Sequence, residues 1–275
     1  MKHLLLFALL FSAGMVFAGN FEADCKKVEK WISETYPQRS LSRRMQENNL
    51  RRLRKSGDSA ALHRQFPKAF GEEWISELKT AKAQGITFSD DNKTLLKCPP
   101  NVTSVVIPSC VTTIGDQAFN GCSNLTSVSI PDSVTTIGDG AFFGVESVKL
   151  SKNNPVFMID EFGALLDVEN NKLLYLPSNT EGKYTIPDGV TTIGALAFWM
   201  CSNLTSISIP GSVTTIENRA FLGCSNLTSV SIPDSVTTIG DLAFLGCSNL
   251  TSVSIPSNCN VGSLAFPDNC KVIRK

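Results

Sequence analysis

The segment Cys224–Pro233, CSNLTSVSIP, restarts at Cys247–Pro256. It also stands one equal step earlier at Cys201–Pro210, with Ile207 in place of a valine, and again at Cys122–Pro131. A fixed period of this length restricts a chain severely. One such unit is too short to bury its own apolar side chains, so it does so only by stacking on copies of itself, which makes a solenoid.

The alternation inside a unit sets its local structure. Leu227, Val230 and Ile232 are spaced as inward residues, while Ser229 and Ser231 alternate with them and point out, as a period of two requires. Pro233 ends the strand because it brings no N–H to a ladder. Val236 and Ile239 supply a second inward pair, Gly240 is expected to permit a turn, and Ala243 with Phe244 completes the core. Copies of each position should stack about 4.8 Å apart.

Strand ends at Ile107, Ile130, Leu150, Ile186, Ile209, Ile232 and Ile255 predict about seven coils. Residues 86–99 read as a hairpin turning at Asp90-Asp91-Asn92, where paired aspartates suit turn chemistry better than a calcium loop. The rhythm breaks once: the step from Leu150 to Ile186 is longer than any other between successive strand ends. The excess, near 151–180, contains Asn171-Lys172-Leu173-Leu174 ahead of Pro177, an echo of the first hairpin. Two readings of it stand, a binding loop on one face of the solenoid or a patch over an irregular coil. Residues 257–275 keep the core pair Ala265-Phe266 and are expected to cap the open end.

The chain before the repeat differs in kind. Residues 1–18, with Lys2, an apolar run and small residues before Ala18, read as a secretory signal peptide. Residues 19–85 read as a small helical region or cap, with helical faces at Val28, Trp31 and Ile32, at Leu41, Met45, Leu50 and Leu53, and at Trp74, Ile75 and Leu78. The zero net charge is a balance of two halves: residues 20–89 carry 14 basic against 9 acidic residues, and residues 90–275 carry 10 against 16. The basic run Arg51, Arg52, Arg54, Lys55 is expected to be a solvated helix face, with no nucleic acid as partner.

The inventory points away from catalysis. Beyond the leader the one histidine is His63, with no nucleophile motif beside it, and the glycines recur singly at repeat positions instead of forming a phosphate loop. Asp132, Asp139, Asp234 and Asp241 are fixed to the repeat as turn residues. Cys122, Cys201, Cys224 and Cys247 share one repeat position and are expected to be buried, inert thiols; no C-x-x-C pair exists to hold a metal. No cofactor is expected. In an oxidising compartment Cys259 and Cys270 can staple the C-terminal cap. Asn-x-Thr sequons stand at Asn92, Asn101, Asn124, Asn203, Asn226 and Asn249 and matter only where a eukaryotic secretory pathway reads them.

The unit CSNLTSVSIPDSVTTIGD-x-AF closely resembles the BspA-type, or treponemal-type, leucine-rich repeat, over residues 86–275. The resemblance implies a β-rich leucine-rich-repeat solenoid of parallel strands, here behind a small N-terminal α-helical region. It also implies a secreted or cell-surface location and adhesion to host or extracellular matrix proteins. The expected function is binding of an extracellular protein or glycan, not an enzymatic activity. The expected face is the outward hydroxyl surface: Thr126, Ser127 and Ser129; Thr205, Ser206 and Ser208; Thr228, Ser229 and Ser231; Thr251, Ser252 and Ser254. The alternative is a self-associating structural spacer, drawing on the charge split. After loss of the leader no segment is expected to span a membrane.

Overall fold

The computed structural model describes residues 25–30, 32–33, 41–56 and 73–275. The expected leader, His63 and the side chains of Trp31, Leu41 and Met45 lie outside the described residues. The chain divides into two compact units between Leu78 and Lys79. In the first, a helical segment over 25–30 and 32–33 buries Cys25, Val28 and Ile32 on one face, the i, i+3, i+7 spacing of a helix. Helix α1, Leu41–Ser56, buries Leu50, and its Arg54 Nη1 lies 2.6 Å from Glu29 Oε1. Helix α2, Glu73–Ala83, carries the chain into the second unit, where Ala81 joins the core.

The second unit is the solenoid. It opens on an antiparallel hairpin, β1 (Thr87–Phe88) and β2 (Thr94–Lys97), whose turn holds Asn92 at φ 58°. Asp91 accepts hydrogen bonds there from the Ser89 hydroxyl and the Lys93 N–H, which lower its pKa. Each later coil then contributes two strands to two separate parallel sheets. The longer strands of the first half are β3 (Val105–Val106), β5 (Ser127–Ile130) and β7 (Ser147–Leu150), and short β4 (Thr113–Ile114) and β6 (Thr136–Ile137) extend the hairpin sheet. In the second half the longer strands are β11 (Gly182–Thr185), β13 (Leu204–Ser208), β15 (Ser229–Ser231), β17 (Ser252–Ile255) and β19 (Lys271–Arg274). Their short companions are β12 (Thr192–Ile193), β14 (Thr215–Ile216), β16 (Thr238–Ile239) and β18 (Asn260–Val261). The structure is a parallel-strand solenoid of about eight turns, one more than the strand ends suggested, because Lys271–Arg274 adds to the long-strand sheet without the repeat's consensus residues.

The irregular stretch is a second beginning. Strands β8 (Phe157–Ile159), β9 (Leu165–Asp167) and β10 (Lys172–Tyr175) form an antiparallel meander, and β10 then pairs in parallel with β12. This meander docks on its first coil as the N-terminal hairpin docks on its own. Gly115 N–H bonds Leu95 O at 2.9 Å, and Gly194 N–H bonds Leu173 O at 2.8 Å; Cys98 N–H bonds Ala118 O, and Leu176 N–H bonds Ala197 O, both at 2.7 Å. Gly85 and Gly163 both take positive φ, 84° and 82°, with the Pro99 and Pro177 rings packed against them.

Two cores result. One runs from Ala81 to Leu165 and Tyr175, the other from Ala164 and Leu166 to Ala265, so the neighbours Leu165 and Leu166 face opposite cores as strand geometry dictates. Aromatic rings form a column in each: Phe119, Phe142 and Tyr175 in the first, then Tyr184, Phe198, Phe221, Phe244 and Phe266, with centroid separations of 4.5–5.8 Å. Both tyrosines are buried, which raises their pKa, and each hydroxyl finds an acceptor, Val145 O at 2.8 Å for Tyr175 and Asp160 Oδ2 at 2.7 Å for Tyr184.

Gly240 is there for a different reason from the turn the sequence suggested. Its φ is not positive; a Cβ would stand 2.5 Å from Asn218 Oδ1, the atom that accepts the Asp241 N–H at 2.8 Å. Gly138 and Gly262 leave the same room for Asp116 and Asp241. Where Ala195 replaces the carboxylate or amide, Glu217 occupies the glycine position and accepts the Ala195 N–H at 2.8 Å.

Candidate binding face

The outward rows lie on the long-strand sheets. Val128, Ile207, Val230 and Val253 are buried and none of the twelve expected hydroxyl residues is; strict alternation breaks where Thr205 and Ser206 both stand outward, at a shift of register. Register brings them into line. Ser206 pairs with Ser229 and Ser208 with Ser231, and Ser231 continues to Ser254, which aligns Ser229 with Ser252 two positions earlier. In the first half Ser127 pairs with Ser147 and Ser129 with Lys149.

The hydroxyls divide into two kinds. Thr205 and Thr228 donate to Gly182 O and Thr205 O at 3.0 and 3.1 Å, tying each coil to the one before. Their hydroxyls are committed to the fold. Among the described residues, Ser127, Ser129, Ser206, Ser208, Ser229, Ser231, Ser252 and Ser254 make no side-chain hydrogen bond, so each keeps a donor and an acceptor for an outside group. Thr126 and Thr251 share that state. The short-strand side also spends its first threonines on the ladder: Thr112, Thr191, Thr214 and Thr237 each donate to a carbonyl of the preceding coil or hairpin.

Three residues of this face were not singled out in the sequence: Lys149, Lys183 and Lys271. They stand at serine positions of the less regular coils, Lys183 opposite Ser206 and Lys271 opposite Ser252. Counting along the strand from Leu150, Ile186 and the terminal Arg274 would have found them.

The cysteines form a column of their own on the inside. Cys122 donates to Cys98 O at 3.2 Å, Cys224 to Phe198 O at 3.1 Å and Cys247 to Phe221 O at 3.2 Å. Burial pushes the Cys98 thiol up to about 12, with Cys122 adding to it. Contact with Cys201 raises Cys224, and contact with Cys224, then burial, raises Cys247. Cys270 packs against the same core near Cys247, and burial, then Cys247, raises its pKa. Cys259 and Cys270 carry free thiols, so the expected staple is not formed in this structure. Among the described residues no three His, Cys, Asp or Glu side chains gather to hold a metal ion, and no helix is long and apolar enough to cross a membrane.

The sequence matches the BspA type leucine-rich repeat region in six copies, over residues 91–182 and 178–275. The chain belongs to the BspA-type leucine-rich repeat family. Against curated proteins it finds no significant match. Among solved structures it is similar to a leucine-rich cell surface protein of Faecalibacterium prausnitzii, at 30% identity and a TM-score of 0.56, covering 61% of this chain and 45% of that one. It shares its fold with the pneumococcal vaccine antigen PcpA, at 24% identity and a TM-score of 0.52, covering 60% of this chain and 49% of that one. The BspA-type chain thus matches about half the length of each.

Proposed function

We propose that this BspA-type protein is a secreted or cell-surface adhesion and interaction module that engages an extracellular protein or glycan through its long-strand face. The observation behind the reading is that the serine rows are in register while their hydroxyls serve no bond of the fold. Such a surface gives many weak hydrogen bonds and no buried anchor, which suits modest affinity multiplied over coils or copies. The mechanism is that of a scaffold, not a catalyst. Delivery by residues 1–18 belongs to the same proposal.

The test is Ser206→Glu, Ser229→Glu and Ser252→Glu together, assayed against immobilised matrix proteins and glycans. All three sites are at the surface, so the fold should persist while binding falls. Undiminished binding to a confirmed partner would move the site elsewhere, to the β8–β10 meander or to residues 19–85.

Self-association as a spacer has an observation of its own. Strand β19 is the outer edge of its sheet and exposes Val272 and Ile273, with Leu264 exposed nearby in the chain. A larger species in size-exclusion chromatography that persists as salt is raised would favour this reading.

A further inference from the structure

We propose that the long-strand face takes a linear acidic polysaccharide, with Lys183 and Lys271 as end contacts and the serine row between them. The inference rests on the strand-face reading above and adds the chemistry of the partner.

Charge is sorted by side on this solenoid. Residues 90–275 hold 10 basic and 16 acidic residues. The eight long strands hold Lys149, Lys183, Lys271 and Arg274 and not one acid. The acids sit instead in the turns and on the short-strand side, Glu146 and Glu181 coming nearest as residues that precede β7 and β11. Away from these strands the cations are mixed: among the described residues Lys97, Lys152 and Arg219 are exposed without an acidic partner, while two others are paired. Lys172 lies between Asp139 and Glu217, and Lys275 reaches Asp234. Among the described residues Lys149, Lys183 and Lys271 are exposed and have no acidic partner. A net-acidic body with one sheet that carries cations and no acid is complementary to an anion at that sheet.

Register gives the anion a shape. Pairing places Lys183, Ser206, Ser229, Ser252 and Lys271 in one row, which spans roughly 19 Å at strand spacing. A pyranose unit advances a linear glycan by nearly the distance that one strand advances the row. Successive sugars therefore meet successive hydroxyls without losing step, and acidic groups fall within reach of the terminal ammonium groups. An extended peptide turns alternate side chains away from such a row. An apolar partner finds little there, since the face exposes few large apolar residues, Val106 and Ile273 at its two edges.

The full chain should be titrated with three linear polymers: polygalacturonate for carboxylates, dextran sulfate for sulfates, and neutral dextran. Binding to one or both charged polymers and not to dextran is expected, weakening as salt is raised. The pair Lys183→Gln and Lys271→Gln should lower that affinity about tenfold, the scale for two exposed charge contacts. Arg219→Gln is the control: it lies off this face, at the position where the chain elsewhere has Gln117, and should change nothing. The proposal is overturned if neither charged polymer binds, if dextran binds equally, if the lysine pair is without effect, or if Arg219→Gln costs as much. Loss of a protein partner in the serine-to-glutamate variant, with no polyanion bound by the parent, would keep the face and reject the acidic glycan.

Discussion

Leu196 fills the space that Gly140 leaves open: a Cβ on Gly140 would stand 2.6 Å from Leu196 Cδ1. The two residues belong to coils on either side of the β8–β10 meander, and beside them the rings of Phe143 and Trp199 lie 4.0 Å apart. The two stacks therefore touch directly at one corner while the meander fills the rest of the junction.

Gly140→Ala should destabilise the protein by roughly 1–3 kcal/mol, since φ there is +59° and the new methyl meets Leu196. Adding Leu196→Ala should recover the part due to contact and leave the part due to backbone strain. Urea denaturation of the single and double variants measures both; purely additive losses would show that the corner carries no coupling.

Phe221→Ala or Phe244→Ala should cost roughly 3–5 kcal/mol. Both rings are fully buried and stack at 4.7 Å in the aromatic column. Unchanged melting curves would contradict their place in the core.

Lys172→Met keeps an aliphatic stem over Gly194 but removes an ammonium lying 2.8 Å from Glu217 and 3.0 Å from Asp139. Burial opposes this charge, and the bonds to Glu217 and Asp139 outweigh it, so the lysine's pKa is raised. A loss of about 1–3 kcal/mol is expected. Faster amide exchange should concentrate at the junction, around Tyr175 and Tyr184, and an effect confined to the C-terminal coils would contradict the bridging role.

The thiol column predicts alkaline sensitivity. The folded protein holds Cys98, Cys224 and Cys247 as neutral thiols above their ordinary pKa, so their contribution is complete below the unfolded thiol pKa and drains away as pH rises beyond it. Stability should fall above about pH 8.5, the free-thiol value. A Cys224→Ala chain should show a smaller fall and unaltered ligand binding. In the native protein near neutral pH, a thiol reagent should modify half-buried Cys270 before Cys224 or Cys247. Rapid labelling of all of them would argue against burial.

Under the secretion proposed above, the mature protein should begin near Gly19, as N-terminal sequencing can check. An intact Met1 on membrane-held material would replace cleavage with anchoring.

Side-chain parity, the Phe column and thiol burial at Cys122, Cys201, Cys224 and Cys247 were legible because one repeat, read once, fixes every copy. What escaped was whatever depends on the neighbouring coil. Thr205 and Ser206 look alike in sequence, yet only a carbonyl from the previous turn separates a committed hydroxyl from an available one. Gly240 read as a turn residue because its steric partner, Asn218, lies a full coil away. The meander's echo of the first hairpin was visible in Asn171-Lys172 and Pro177; that it founds a second core was not, because Leu165 and Leu166 differ only in which way they face.

A stack that can be started twice can also be lengthened in pieces. Gain or loss of one whole repeat after β12 would alter the reach of the serine row and leave the first core, its hairpin and the junction untouched. Near-identical neighbours such as Cys201–Gly223 and Cys224–Gly246 are the segments that unequal exchange duplicates or deletes most readily. The length of the proposed binding face is thus open to tuning in single-coil steps, by copying instead of by redesign.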